Sequence, residues 1–203
     1  LKKSGLIKCS KINNCLIGLL LSVSQISCQP KLRTDGLIVA SAGKIISLDP
    51  AQANTFHSLQ LLSALGDTLY RKDKHGNLEP RLAKELPRIT NEGLTITIPL
   101  RENVIFHDGT PFNADAMVFS FKRFIRIGTL NYIVGDRISS VEAPESLLFR
   151  INLKRPSTSI EGLLTSINLT PVSPTAYKKY KDKFLNKHFI GTGPYKLNNF
   201  RAE

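Results

Sequence analysis

The clearest periodicity in the chain runs from Leu147 to Leu153. Leu147, Phe149, Ile151 and Leu153 alternate with Leu148, Arg150, Asn152 and Lys154. A period of two places one set on each face of an extended chain, so the segment reads as a one-sided β-strand. Val141 to Ala143 precedes it, and Pro144-Glu145-Ser146 between them reads as a hairpin turn. Thr95-Ile96-Thr97-Ile98 repeats the alternation and predicts a second half-buried strand. Val104-Ile105-Phe106 is a short apolar run, expected as a second short strand and followed by the turn chemistry of His107-Asp108-Gly109-Thr110-Pro111, in which Gly109 is free to take positive φ. The period then changes. Val118, Phe121 and Ile125 recur at helical spacing behind Asn113, a good N-cap, and Asp115, whose charge suits the first turn of a helix. Gly128 closes that helix.

Elsewhere the pattern is weaker but readable. Residues 37–40 and 44–47 are expected as a first strand region. Phe56, Leu59, Leu62 and Leu69 suggest a helix from about Asn54 to Tyr70. Asp73 to Gly76 predicts a hairpin turn. Ser173-Pro174 is a helix start, cap then Pro, leading into a Lys-faced helix over residues 175–184. Gly191 to Tyr195 is expected to turn into a last strand over residues 195–197. There are no repeats and no low-complexity segments. The sum is a mixed α+β chain without a nucleotide-binding loop.

Composition changes this picture at the N-terminus. The 203 residues carry a formal net charge of +12. Residues 1–27 hold Lys2, Lys3, Lys8 and Lys11 and no acid, leaving +8 on the remainder. Those remaining charges are scattered, apart from a run at residues 178–183 that fits a solvated helix face, and no nucleic-acid-binding motif accompanies them. The four lysines precede a short apolar run, Cys15 to Val23, and then small and polar residues to Ser27-Cys28. That is the layout of an export signal, with an apolar run too short for an ordinary membrane span. Ile26-Ser27-Cys28 resembles a bacterial lipoprotein processing site, with Gln25 where Leu is usual. Acylation of Cys28 is therefore expected, with simple cleavage near it, or an uncleaved anchor, as the alternatives. All three cysteines lie at or before Cys28, so the remainder has neither disulfides nor Cys-based metal sites.

Catalytic chemistry finds little support. The four histidines show no metal-ligand spacing. His107-Asp108 sits in a turn, where both residue types stabilise the backbone locally. Gly191-Thr192-Gly193 lacks the Lys-Ser/Thr of a phosphate loop. No enzyme, cofactor or metal is expected.

Several segments, in order, resemble the bacterial extracellular solute-binding proteins of the peptide and nickel class (family 5). The strongest match is Leu100-Arg101, then His107-Asp108-Gly109-Thr110-Pro111-Phe112, Ala114-Asp115, and Phe119-Ser120-Phe121-Lys122-Arg123. Ser47-Leu48-Asp49-Pro50, Gly66-Asp67-Thr68-Leu69-Tyr70, His75 to Ala83, and Gly191-Thr192-Gly193-Pro194-Tyr195 match further segments. Asp67 stands where the family usually has Glu. Leu86-Pro87 occupies the place of a usual Trp, and the chain has no Trp.

The resemblance implies a periplasmic binding protein-like fold: lobe I with its inserted subdomain, over residues 37–203, behind a signal segment (1–28) and a tether (29–36). It implies that the second lobe is missing from these residues, so that the chain is a truncated copy, only marginally stable alone and poorly ordered from about Asn186. It implies a substrate-binding component of an ABC-type importer, periplasmic and lipid-anchored. The ligand would be an oligopeptide or dipeptide, and the partners the membrane permease subunits. No nucleic acid is expected, and the protein should be a monomer. The segment matching Gly66 to Tyr70 lies at the cleft in this family, which points to Asp67, Thr68 and Leu69 as ligand-binding positions. His107 to Phe112, Arg123 and Gly191 to Tyr195 are expected to be architectural. The alternative reading is a membrane-tethered interaction module, or a remnant without a small ligand.

Overall fold

The computed structural model describes residues 36–180, 185 and 188–201. The expected signal segment, Cys28 and most of the tether lie outside the described residues. The chain divides into two compact units, residues 1–40 and residues 41–203. Of the first, only residues 36–40 are described; they are exposed and form no strand.

The second unit is built around an antiparallel sheet. In chain order its elements are α1 (Phe56–Leu65), β1 (Tyr70–Lys72), β2 (Leu78–Pro80), β3 (Arg88–Thr90), β4 (Thr95–Pro99), α2 (Ala114–Ile127), β5 (Ile138–Glu145), β6 (Leu148–Leu153), α3 (Ile160–Leu164) and α4 (Pro174–Tyr180). Strands β1 and β2 form a separate hairpin, and the larger sheet has the order β3-β4-β6-β5. Its register pairs Ile96 with Ile151 and Ile98 with Phe149. The alternation read from the sequence is the alternation observed: Phe149, Ile151 and Leu153 are buried, and Leu148, Arg150 and Asn152 are half-buried. The β5–β6 turn falls at Ser146-Leu147. Pro144 lies within β5, where the register shifts between Glu142 and Glu145, an irregularity that tolerates a residue with no N–H to donate.

Helix α2 packs on the buried face of this sheet. Asn113 caps it, its side-chain oxygen accepting from Ala116 N at 2.9 Å. The fully buried seam is Ala114, Met117, Phe121 and Phe124, while Val118 and Ile125 pack beside it only partly buried. The Phe121 and Phe149 rings lie 5.6 Å apart between centroids. Each such aromatic contributes roughly 1.5–3 kcal/mol by leaving water. Gly128 ends the helix, its N–H bonding to Phe124 O.

Helix α1 belongs to a second apolar cluster, with Leu48, Leu62, Leu65, Val172 and Phe189. It is shorter than its apolar spacing suggested. Gly66 ends it in an extended conformation, and residues 67–69 then run into β1. Leu69 is buried in the larger core from that extended segment, not from a helix face. Three expected strands are absent. Residues 44–47 and 195–197 form no strand, and residues 104–106 keep only a single bridge, Ile105 to Pro111. A strand needs a ladder partner, and Tyr195 instead donates its N–H to Ala64 O at the end of α1.

Two turns behave as their residues dictate. Asp73 Oδ1 accepts from the N–H groups of His75 (2.8 Å) and Asn77 (2.9 Å), closing the β1–β2 hairpin. Gly109 sits at φ +82°, which only glycine adopts without strain. Among the described residues, no helix is long and apolar enough to cross a membrane.

Candidate functional site

The segment Gly66 to Tyr70 is held by two other parts of the chain. On one side lies the stretch after β2. Arg81 N and Ala83 N both donate to Leu69 O, and Leu82 N donates to Thr68 O. On the other lies the glycine-rich loop Gly191 to Tyr195. Gly193 N donates to Leu65 O at 3.1 Å, and Asp67 N donates to Thr192 Oγ1 at 3.3 Å. The approach is close. A Cβ on Gly193 would stand 2.5 Å from Leu65 C and 2.6 Å from Gly66 N, and one on Gly191 would stand 2.5 Å from Leu65 O. Neither glycine has a positive φ, so the requirement here is space between backbones.

The signature turn buttresses the same loop. His107 N donates to Gly191 O at 2.9 Å, and His107 Nε2 lies 2.8 Å from Gly193 O. Because that acceptor is a carbonyl, Nε2 carries the proton. Asp108 ties the turn to the start of α4: Ser173 Oγ donates to Asp108 Oδ2 at 2.5 Å and accepts from Ala176 N at 3.1 Å. Asp108 Oδ1 accepts from Thr110 N and Thr110 Oγ1. Partial burial pushes the Asp108 carboxyl up, but the hydrogen bonds from Ser173 and Thr110 outweigh it and hold the group below the usual carboxylate range. His107 and Asp108 thus serve the backbone, as their turn context predicted.

The three sequence-predicted ligand positions occupy different environments. Asp67 is half-buried, with its carboxylate at the surface of the loop junction. Arg81 Nη2 donates to its Oδ1 at 3.0 Å, and Thr192 Oγ1 donates to its Oδ2 at 3.4 Å. Thr68 is buried, and its hydroxyl is committed to Tyr70 O at 2.5 Å. Leu69 is buried in the core. The structure therefore brings Asp67, Arg81 and Thr192 together as a polar cluster, beneath which Thr68 and Leu69 are packed. Sequence reasoning placed Thr192 in an architectural loop and did not single out Arg81. The only local signals were the glycines flanking Thr192 and an unlike charge 14 residues after Asp67.

A carboxylate accepts up to about four hydrogen bonds. Arg81 and Thr192 therefore leave Asp67 capacity for a further donor, such as an ammonium group. Among the described residues no group of three His, Cys, Asp or Glu side chains is placed to hold a metal ion.

Comparison with known proteins agrees with this architecture. The sequence model of the bacterial extracellular solute-binding proteins, family 5 (middle region), matches residues 77–203. The glutathione-binding protein GsiB of Shigella flexneri is 31% identical over 166 residues, covering 81% of this chain and 32% of that protein. The chain spans about a third of the length of the curated relatives it matches. NikZ from Campylobacter jejuni, solved in complex with Ni(L-His), superposes with a TM-score of 0.70 at 28% identity, over 82% of this chain and 34% of NikZ. The pheromone receptor PrgZ, solved for its mode of peptide binding, superposes with a TM-score of 0.74 at 24% identity, over 80% of this chain and 36% of the receptor. With this agreement of sequence and fold, the chain belongs to the bacterial extracellular solute-binding proteins of family 5.

Proposed function

We propose that this chain supplies the substrate-binding component of an ABC-type importer, capturing a peptide or peptide-like solute and delivering it to the membrane permease subunits. It acts in the periplasm, held to the membrane by acyl chains on Cys28. The reading draws on family membership and on the printed ligands of the similar proteins, which are glutathione, a peptide and a nickel–histidine complex. All three carry amino and carboxylate groups.

The observation that carries the proposal is the Asp67 carboxylate, held in place by Arg81 and Thr192 with capacity left for a further donor. We assign Asp67 to the α-ammonium group of the ligand, a charge-assisted hydrogen bond that does not depend on side-chain identity. Thr68 and Leu69 belong to the same site as its floor. They set the position of the backbone beneath Asp67 and do not offer their side chains.

Calorimetric titration of the chain with glutathione and with short peptides tests this. Saturable binding near micromolar affinity, about 8 kcal/mol, is the expected result. Acetylating the peptide amine, or Asp67→Asn, should weaken it about tenfold or more. Binding indifferent to both changes would remove Asp67 from the site, and no binding of any peptide would overturn the proposal.

A further inference from the structure

A cavity lies away from this cluster, at the far end of α2. It measures about 280 Å³ and opens between the end of α2, the start of β5 and α3. Its walls include Phe124, Ile138, Leu153, Ile160 and Leu163, all apolar. Arg137, Ser157 and Ser159 also line it. The same three residues line a larger, more open space of about 730 Å³ beside it, so they stand where the cavity meets solvent.

Arg137, Ser157 and Ser159 are arranged as a donor set, whereas Ser166, which also lines the cavity, accepts from Asn168 N through its hydroxyl oxygen. Arg137 Nη1 donates to Ser159 Oγ at 2.6 Å and to Ser157 Oγ at 3.3 Å. The two hydroxyls lie 3.0 Å apart. Both oxygens accept from the guanidinium, and one hydroxyl proton spans the pair. The other hydroxyl proton is left to donate outward. Among the described residues no carboxylate comes within 4.0 Å of Arg137, although Asp136 adjoins it in sequence and Glu161 lines the larger space. Its Nε and Nη2 likewise have no acceptor among the described residues.

We propose that this cavity binds a small monocarboxylate with a compact apolar tail, the carboxylate paired with Arg137 and one serine hydroxyl, the tail among Phe124, Ile138, Leu153 and Leu163. The chemistry excludes the alternatives. A polar solute would strand its hydrogen-bonding groups against apolar walls, a cation would meet Arg137, and a hydrocarbon would leave the guanidinium unused. A planar guanidinium matches a carboxylate with two parallel hydrogen bonds. The volume, just below the usual range of about 300–1,000 Å³ for ligand pockets, limits the tail to a few carbons. This assignment is independent of the Asp67 cluster, which shares no residue with the cavity.

Titration of the 203-residue chain with hexanoate, followed by methyl NMR, tests it. The methyl signals of Ile138, Leu153 and Leu163 should shift saturably. Hexanamide, the same shape without the charge, should bind at least tenfold more weakly. Arg137→Gln should cost hexanoate at least tenfold, and Ser159→Ala, at an exposed position that leaves the fold intact, about threefold. A saturating peptide should not displace hexanoate. Equal binding of hexanoate and hexanamide overturns the proposal whatever the variants do, and so does the absence of methyl shifts with hexanoate.

Discussion

Arg123 and Asp49 form a bidentate ion pair sealed inside the protein, their side chains 4% and 1% exposed. Arg123 Nη1 donates to Asp49 Oδ1 at 2.6 Å, and Nη2 donates to Oδ2. Asp49 Oδ1 also accepts from Ala51 N, and the guanidinium lies 5.0 Å from the centroid of the Tyr177 ring. The pair joins the segment before α1 to the middle of α2 and to α4, which between them carry both apolar clusters. Removing one partner of a buried pair leaves the other charged and desolvated, at a cost of about 3–5 kcal/mol. Arg123→Met should therefore lower stability by about that much in urea denaturation. The double variant with Asp49→Asn should lose clearly less than the sum of the two single losses. Strict additivity would show that the pair is not coupled.

This pair also marks the limit of what could be read from the sequence. The β4 and β6 alternations, the Asn113 cap, the Ser173-Pro174 start and the His107–Gly109 turn depend on neighbours within a few residues, and the structure contains them all. The strands expected at residues 44–47 and 195–197 depend on a ladder partner, which periodicity does not reveal. Leu69 fitted a helical spacing, yet Gly66 had already ended α1. The candidate site has the same limit. Asp67 was legible through resemblance to a known segment. Its contact with Thr192, 125 residues away, exists only because Gly193 packs against the end of α1.

Asp108 makes stability depend on pH. Its folded pKa lies below its unfolded value, because the ionised form accepts from Ser173 and Thr110. A depressed carboxylate contributes fully above the unfolded pKa, near 4, and the contribution is lost as pH falls through the folded value. Asp108→Asn should thus lower Tm at pH 6, and the gap from the parent should narrow as pH drops below about 4. A gap independent of pH between 6 and 2.5 would mean that the ionised form has no advantage.

Cys28 should be the one cysteine that matters for anchoring. A lipoprotein is acylated on the cysteine that becomes its N-terminus, so Cys9 and Cys15 would leave with the signal segment. Changing Cys28 to Ser should leave the precursor uncleaved and unlabelled by radioactive fatty acid in cells, whereas Cys9→Ser and Cys15→Ser should change neither. Undiminished labelling of the Cys28 variant would rule the anchor out.

The glycine-rich loop offers a test of how the candidate site is held. Gly193 lies against the backbone of Leu65 and Gly66, where a methyl group would stand 2.5 Å from Leu65 C. Backbone cannot yield as a flexible side chain can, so Gly193→Ala must lift the loop. Three hydrogen bonds would lengthen together: Gly193 N to Leu65 O, Asp67 N to Thr192 Oγ1, and His107 Nε2 to Gly193 O. At about 1 kcal/mol for each, the loss is about 2–3 kcal/mol. Hydrogen exchange at Gly193 and Asp67 should accelerate by about 30-fold or more, since 1.4 kcal/mol is a factor of ten. His107→Ala removes one of the three and should accelerate the same amides about fivefold. Pro111→Ala, at an exposed position whose missing N–H makes no hydrogen bond to the loop, should leave them unchanged. If residues 191–200 exchange at the rate of an unstructured peptide in the parent chain, the loop is not docked in solution, and Asp67 then lacks the Thr192 contact that positions it.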